Sequence, residues 1–182
     1  PAGTAITADV SVSWNVEGES ADVDYASLQF LIRRPLNSIS SLAFRSPQHD
    51  SQLTDSGYLF YGNSLAFSNG ITPGTLSSAN SLNDSYTAFD TRNDKDSIVN
   101  LGTATRLMFQ LDLVATGVPT GNEIFTVELQ SGGTLFRGNS NNPIPFALKS
   151  GTQGVITLSE GTAAVPEPAT NIVFLFGIGI AA

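Results

Sequence analysis

A chain of 182 residues with 41% hydrophobic content, 17 Gly and 9 Pro has the size of one domain and too much apolar material for wholesale disorder. Its 8 basic and 16 acidic residues leave a formal net charge of −8, which argues against nucleic acid and against anionic membrane surfaces, since both require clustered Lys and Arg. Cysteine is absent, so burial rather than a disulfide framework must hold the fold.

No segment carries a sustained helical stripe, whereas several alternate with a period of two. The expectation is an all-β fold, a single antiparallel two-sheet sandwich of jelly-roll or Ig-like type with about nine to ten strands. The sandwich is expected over residues 1–161, a proline-containing hinge over 162–170 and an apolar tail over 171–182. The first strand lies near Ile6 to Val16; the next falls within Asp22 to Arg34, where Leu28, Phe30 and Ile32 alternate and Pro35 ends the run. Ile39 to Arg45 and Tyr58 to Phe67 read as two more, separated by an exposed polar loop from Ser46 to Ser56. Asn69-Gly70 and Pro73-Gly74 mark turns, and Leu76 to Asp96, rich in Ser, Asn and Asp, reads as a long excursion outside the core. Arg106 to Ala115 places Leu107, Phe109, Leu111 and Leu113 on one face, and a turn at Gly117 to Asn122 leads into Glu123 to Gln130, predicting that these two strands pair. Leu135-Phe136, Ile144 to Leu148 and Gly154 to Ser159 complete the set.

The strand around Leu107 to Val114, the turn after it, Phe125-Thr126-Val127 and the closing Gly154-Val155-Ile156-Thr157-Leu158 together resemble the last third of cohesin-like jelly-roll modules. The resemblance implies a sandwich that binds proteins or sugars, and it does not imply catalysis.

Catalytic and metal chemistry find little support in the residues. His49 is the one histidine, in Ser46-Pro47-Gln48-His49-Asp50, and three triad residue types adjacent in sequence do not converge in space as a triad must. One His without Cys leaves zinc short of ligands. Asp84, Asp90, Asn93, Asp94 and Asp96 offer the oxygens that Ca²⁺ prefers, so Asp90, Asp94 and Asp96 are weak calcium candidates. Their spacing fails the EF-hand pattern, with Lys95 where the turn glycine belongs and Leu101 where the bidentate carboxylate belongs. The expectation is no resident metal or cofactor and no enzyme. Glu17, Glu19, Asp112, Glu123 and Glu128 could each be surface carboxylates beside a strand partner rather than a glycosidase pair. Sugar contact would use aromatic faces, for which Tyr58, Tyr61 and Tyr86 are candidates, against core packing of the same rings. Lys95 and Lys149 are the only lysines through which a Lys-Asn isopeptide cross-link could form.

The C-terminal segment joins Val165-Pro166-Glu167-Pro168-Ala169-Thr170 to an uncharged apolar run, Asn171 to Ala182. Pro166, Glu167 and Pro168 ahead of such a run resemble the sorting signal of the PEP-CTERM family, which implies export by a bacterial cell, handling by a membrane exosortase with transient membrane contact, and a cell-surface or extracellular location. The family's long leucine-rich helix and closing arginines do not follow here, and twelve residues fall short of the roughly 20 needed to span a bilayer. With a period of two, Ile172, Phe174, Phe176, Ile178 and Ile180 share one face, and branched and aromatic residues with two glycines favour a strand over a helix. Three readings stay open: a strand donated to a neighbour's sheet, a truncated membrane signal, and a strand of its own domain. Inserted into a neighbour, five such side chains would contribute about 7 to 15 kcal/mol before ordering costs. The expected role is a structural subunit of an extracellular filament or surface matrix, its partners being copies of itself and extracellular polysaccharide. The alternative is an exosortase-sorted module that binds carbohydrate or protein at the cell surface.

Overall fold

The computed structural model describes residues 3–14, 20–48, 51–70, 74–77, 84–94, 96–97, 99–138, 141–146, 153–160 and 172–178, with the strands at 74–77 and 172–178 described by their backbone pairing. In chain order these form β1 (Thr4–Trp14), β2 (Ala21–Asp22), β3 (Tyr25–Arg33), β4 (Ser41–Phe44), a 3-10 turn (Ser51–Thr54) and α1 (Leu65–Asn69). There follow β5 (Gly74–Ser77), β6 (Ser85–Thr91), β7 (Asn100–Leu101), β8 (Arg106–Thr116), β9 (Glu123–Leu129) and a second 3-10 turn (Ser131–Gly133). The chain closes with β10 (Leu135–Arg137), β11 (Pro143–Ile144), β12 (Gly154–Leu158) and β13 (Ile172–Ile178).

Two sheets face each other around one core. The first has the order β13-β1-β8-β4. In the second, β5, β6 and β3 are neighbours, and the far edge of β3 is shared: β10 pairs Tyr25 to Ser27 while β9 pairs Phe30 to Arg33. β11 flanks β10, and β12 flanks β9. Period-two alternation explains the assignment. Ala26, Leu28, Phe30 and Ile32 of β3 are buried, as are Phe125, Val127 and Leu129 of β9, and Phe109, Leu111 and Leu113 of β8. Phe44 of β4 and Tyr86 of β6 meet across the two sheets at 5.6 Å between ring centroids. The all-β sandwich expected from the sequence is the fold.

Four expectations need correction. Tyr58 to Phe67 is not a strand: Tyr58 makes a single bridge to Leu107, turns follow, and Ser64 caps the short helix α1, which ends at Gly70 with φ 62°. Its apolar content reflects burial, since Tyr58, Leu59 and Phe60 plug the interior from a loop. Within the supposed excursion from Leu76 to Asp96, Ser85 to Thr91 is the interior strand β6, in which Ser85, Thr87, Phe89 and Thr91 are half-buried while Tyr86, Ala88 and Asp90 face in. β8 and β9 do not pair; the turn after Gly117 carries the chain from one sheet to the other. Gly117 has φ 87°, and a Cβ there would lie 3.0 Å from the Ser40 Cα, so both conformation and space select glycine. Finally, Ser46 to Ser56 is not wholly exposed. The buried Gln48 side chain exchanges two hydrogen bonds with the Asp112 backbone, Nε2 donating to the carbonyl and Oε1 accepting from the N–H, both at 2.8 Å, and Gln52 and Leu53 are also buried.

The alternation in β8 is also interrupted by a bulge. Val10 pairs with Phe109 but Ser11 pairs with Leu107, so Met108 is the extra residue; it becomes fully buried while Leu107 is only half-buried.

The inward-facing Asp90 fastens the plug. Its carboxylate accepts from the Tyr58 hydroxyl at 2.7 Å, the Ser64 hydroxyl at 2.6 Å, the Ala66 N–H at 3.2 Å and the Thr91 N–H at 2.7 Å. At 2% exposure such a charge is tolerable only because donors surround it. Asp90→Ala is expected to destabilise by about 3 kcal/mol, and Tyr58→Phe by about 1.5 kcal/mol. Urea unfolding should show lowered midpoints with unchanged slopes.

Candidate functional site

β1, a strand of eleven residues, is paired along both of its sides. On one side it pairs antiparallel with β8 from Thr4 to Val12. Its inner face places Ala8, Val10 and Val12 in the core, while Thr7 donates to Asp112 Oδ1 at 3.2 Å and Asp9 accepts from Gln110 Nε2 at 2.9 Å. On the other side β13 runs parallel to it, with Ala8 opposite Ile172, Val10 opposite Phe174, Val12 opposite Phe176 and Trp14 opposite Ile178. The large residues of the tail therefore occupy the register positions opposite the core-facing residues of β1. β13 also approaches β12 of the facing sheet, so the tail strand sits at the seam between the sheets. Ile180 and the motif residues Pro166, Glu167 and Pro168 lie outside the described residues.

Among the described residues no helix is long and apolar enough to cross a membrane, and the tail segment is a strand. The pairing it makes is with its own chain, the third of the readings open from sequence, and it identifies β1 from Ala8 to Trp14 as the edge that such a strand fits.

The remaining candidates are scattered. Tyr58 and Tyr86 are buried, at 0% and 4% exposure, which corrects their reading as sugar contacts: a ring closed into the core offers no face to a ligand. Tyr61 is exposed, in the turn before α1. Asp90 is committed to its four donors in the core. Asp94 instead organises its own loop, accepting from the Asp96 N–H at 2.9 Å and the Ser97 hydroxyl at 2.8 Å. Those bonds, the Asp96 N–H foremost, then the Ser97 hydroxyl, and the more weakly acting Arg92 charge lower the Asp94 pKa. Among the described residues no three His, Cys, Asp or Glu side chains gather where they could hold a metal. His49, Glu17, Glu19, Lys95 and Lys149 lie outside the described residues.

The carboxylates weighed as a hydrolytic pair are likewise apart. Glu128 pairs with Arg33 at 3.0 Å on the outer side of β9. Glu123, at the start of β9, binds the segment before β4: it accepts from the Ile39 N–H at 2.8 Å, the Ser40 N–H at 3.1 Å and the Ser40 hydroxyl. Asp112 is buried in β8.

No family model and no curated protein matches the chain. Among solved structures it is similar to the third ScaC cohesin in complex with the ScaB dockerin from Acetivibrio cellulolyticus, at 10% identity over 97% of this chain and 99% of that one, with a TM-score of 0.43. The seventh ScaB type I cohesin from Pseudobacteroides cellulosolvens matches at 7% identity over 97% and 95%, with a TM-score of 0.39. A type I cohesin–dockerin complex from Clostridium thermocellum matches at 9% identity over 87% and 97%, also with a TM-score of 0.39.

The Ser40 hydroxyl, and behind it the Ile39 and Ser40 N–H groups, lower the Glu123 pKa from its ordinary value of 4.5. A depressed carboxyl adds stability that is present above the ordinary value and is lost as pH falls through the lowered one. Ser40→Ala is expected to raise the Glu123 titration midpoint toward 4.5 and to move the onset of acid unfolding to higher pH, read by carboxyl NMR and by fluorescence of Trp14.

Proposed function

We propose that this chain is a non-enzymatic structural module of an extracellular surface, whose copies join by exchanging their terminal strand. In the joined form β13 of one copy pairs with β1 of the next, in the register that it takes with its own β1. The observation that supports the reading is that seven-pair parallel register, from Ala8 with Ile172 to Trp14 with Ile178. The partner of a long core strand is carried at the far end of the chain, beyond a segment that contains two prolines. A strand attached in this way makes the same hydrogen bonds and fills the same seam whether it closes its own molecule or another, which is the condition for exchange between copies. Passage to the surface through the Pro166-Glu167-Pro168 motif is part of the same proposal.

A paired-cysteine trap separates closure from exchange, and it is clean because the chain has no cysteine of its own. Ser13 and Gly177 are register partners within disulfide reach of a strand pair. In a Ser13→Cys/Gly177→Cys variant, oxidation should yield a ladder of covalent multimers on a non-reducing gel. A single cross-linked monomer at every protein concentration would refute exchange. Removal of residues 171–182 should leave a folded monomer that forms no polymer, as judged by light scattering and electron microscopy.

A further inference from the structure

The outer face of the second sheet carries a separate feature where β6, β3 and β10 lie side by side. Thr91, Tyr25 and Arg137 are direct register partners across these three strands, so their side chains form one row. Leu135 and Asn141 wall the row, Asp24 stands at its end, and together they enclose an open cleft of ≈450 Å³, within the size range of small-ligand sites.

The row is held rigid from beneath. The Asp24 N–H donates to the Arg137 carbonyl at 2.7 Å, and the Asp24 carbonyl accepts from the Thr91 hydroxyl at 2.7 Å and the Arg92 N–H at 2.9 Å. The Arg92 side chain, 6% exposed, is paired with the Asp24 carboxylate and lies 3.6 Å from that of Asp22. Arg137 Nη1 donates to the Asn141 side-chain oxygen at 2.8 Å, and Asn141 is held at φ 65°. A guanidinium carries five N–H groups, and among the described residues those on Nε and Nη2 have no protein acceptor. The Asn141 amide nitrogen and the Tyr25 hydroxyl are also uncommitted among the described residues.

The chemistry of this set is selective. Arg137 and Asn141 donate, the Tyr25 hydroxyl can donate or accept, and Tyr25 and Leu135 present apolar faces between them. Asp22 and Asp24 share the single charge of the buried Arg92, so with Arg137 the formal charges around the cleft cancel, and neither a net anion nor a net cation is favoured over a neutral polyol. Adjacent hydroxyls satisfy a donor and an acceptor together, and the C–H face of a sugar ring suits an aromatic ring. The cleft lies open along a sheet face, which accommodates a unit inside a chain as readily as a free end. We propose that the Thr91–Tyr25–Arg137 row binds a glycosyl unit of a neutral polysaccharide.

Affinity electrophoresis of the full chain in native gels containing dextran, mannan or hydroxyethylcellulose tests this, each gel being compared with one that lacks polysaccharide so that self-assembly affects both equally. The expected result is retardation by at least one of the three, with affinity weakened about tenfold or more in Tyr25→Ala and in Arg137→Ala and unchanged in Tyr61→Ala. Circular dichroism melts establish that the variants are folded, and Arg137→Met, which keeps the stem, replaces Arg137→Ala if the latter does not fold. The proposal is overturned if none of the three glycans retards the protein, if only acidic alginate does, or if retardation survives both cleft substitutions.

Discussion

A strand of eleven residues at the side of a sandwich cannot be left with a bare outer edge, and β1 poses that problem here. Its core-facing residues Ala8, Val10 and Val12 are fully enclosed, and its register with β8 is set through the bulge at Met108. What remains is a row of backbone donors and acceptors from Ala8 to Trp14. β13 covers that row. The arrangement makes the last strand of the chain a cover for the first, so one side of one sheet is capped by a strand that follows two prolines in sequence rather than by a neighbouring hairpin.

The rest of the molecule secures itself by shorter-range means. Asp90 gathers a tyrosine hydroxyl, a serine hydroxyl and two backbone N–H groups around one buried carboxylate, which closes the loop carrying Tyr58 and Phe60 over the interior. Tyr58 then meets Phe60 edge to face at 6.0 Å between centroids and Phe109 at a steep tilt at 6.5 Å, so the polar anchor and the aromatic cluster are parts of one structure. Gln48 does for β8 what a strand residue would do, pairing a side-chain amide with the Asp112 backbone. Glu123 ties the entry of β4 to the start of β9 and so joins the two sheets at one end. Without cysteine, such side-chain ties to backbone do the local stapling.

Much of this was legible in the residues, and the failures have physical causes. β9 and β12 follow from alternation because one of their faces is buried and the other is wetter, and β3 and β8 follow it less strictly, with Ser27, Met108 and Asp112 buried as well. β6 was missed since Ser85, Thr87, Asp90 and Thr91 read as solvent-facing, and nothing local reveals that Asp90 turns inward to meet donors from elsewhere in the chain. Tyr58 to Phe67 reads as a strand because a loop that plugs a core has a strand's composition. Pairing of β8 with β9 was inferred from adjacency, yet a single left-handed glycine is enough to send the chain to the opposite sheet. Of the candidate site, the strand character of the tail was visible in its period, whereas its partner was not: nothing in Ile172 to Ile178 points to Ala8 through Trp14. The cleft on the outer sheet face was invisible for the same reason, since Thr91, Tyr25 and Arg137 are far apart in sequence and become neighbours only through register.

Thirteen residues of sequence, 159–171, join β12 to β13, and two of them are prolines. A strand joined through so short a stretch of sequence meets its own acceptor edge at an effective concentration on the order of millimolar, which free copies in dilute solution cannot match. Under the proposed exchange, the crossover from dispersed molecules closed on themselves to crowded ones linked would be set by the length of that connection rather than by any contact in the fold.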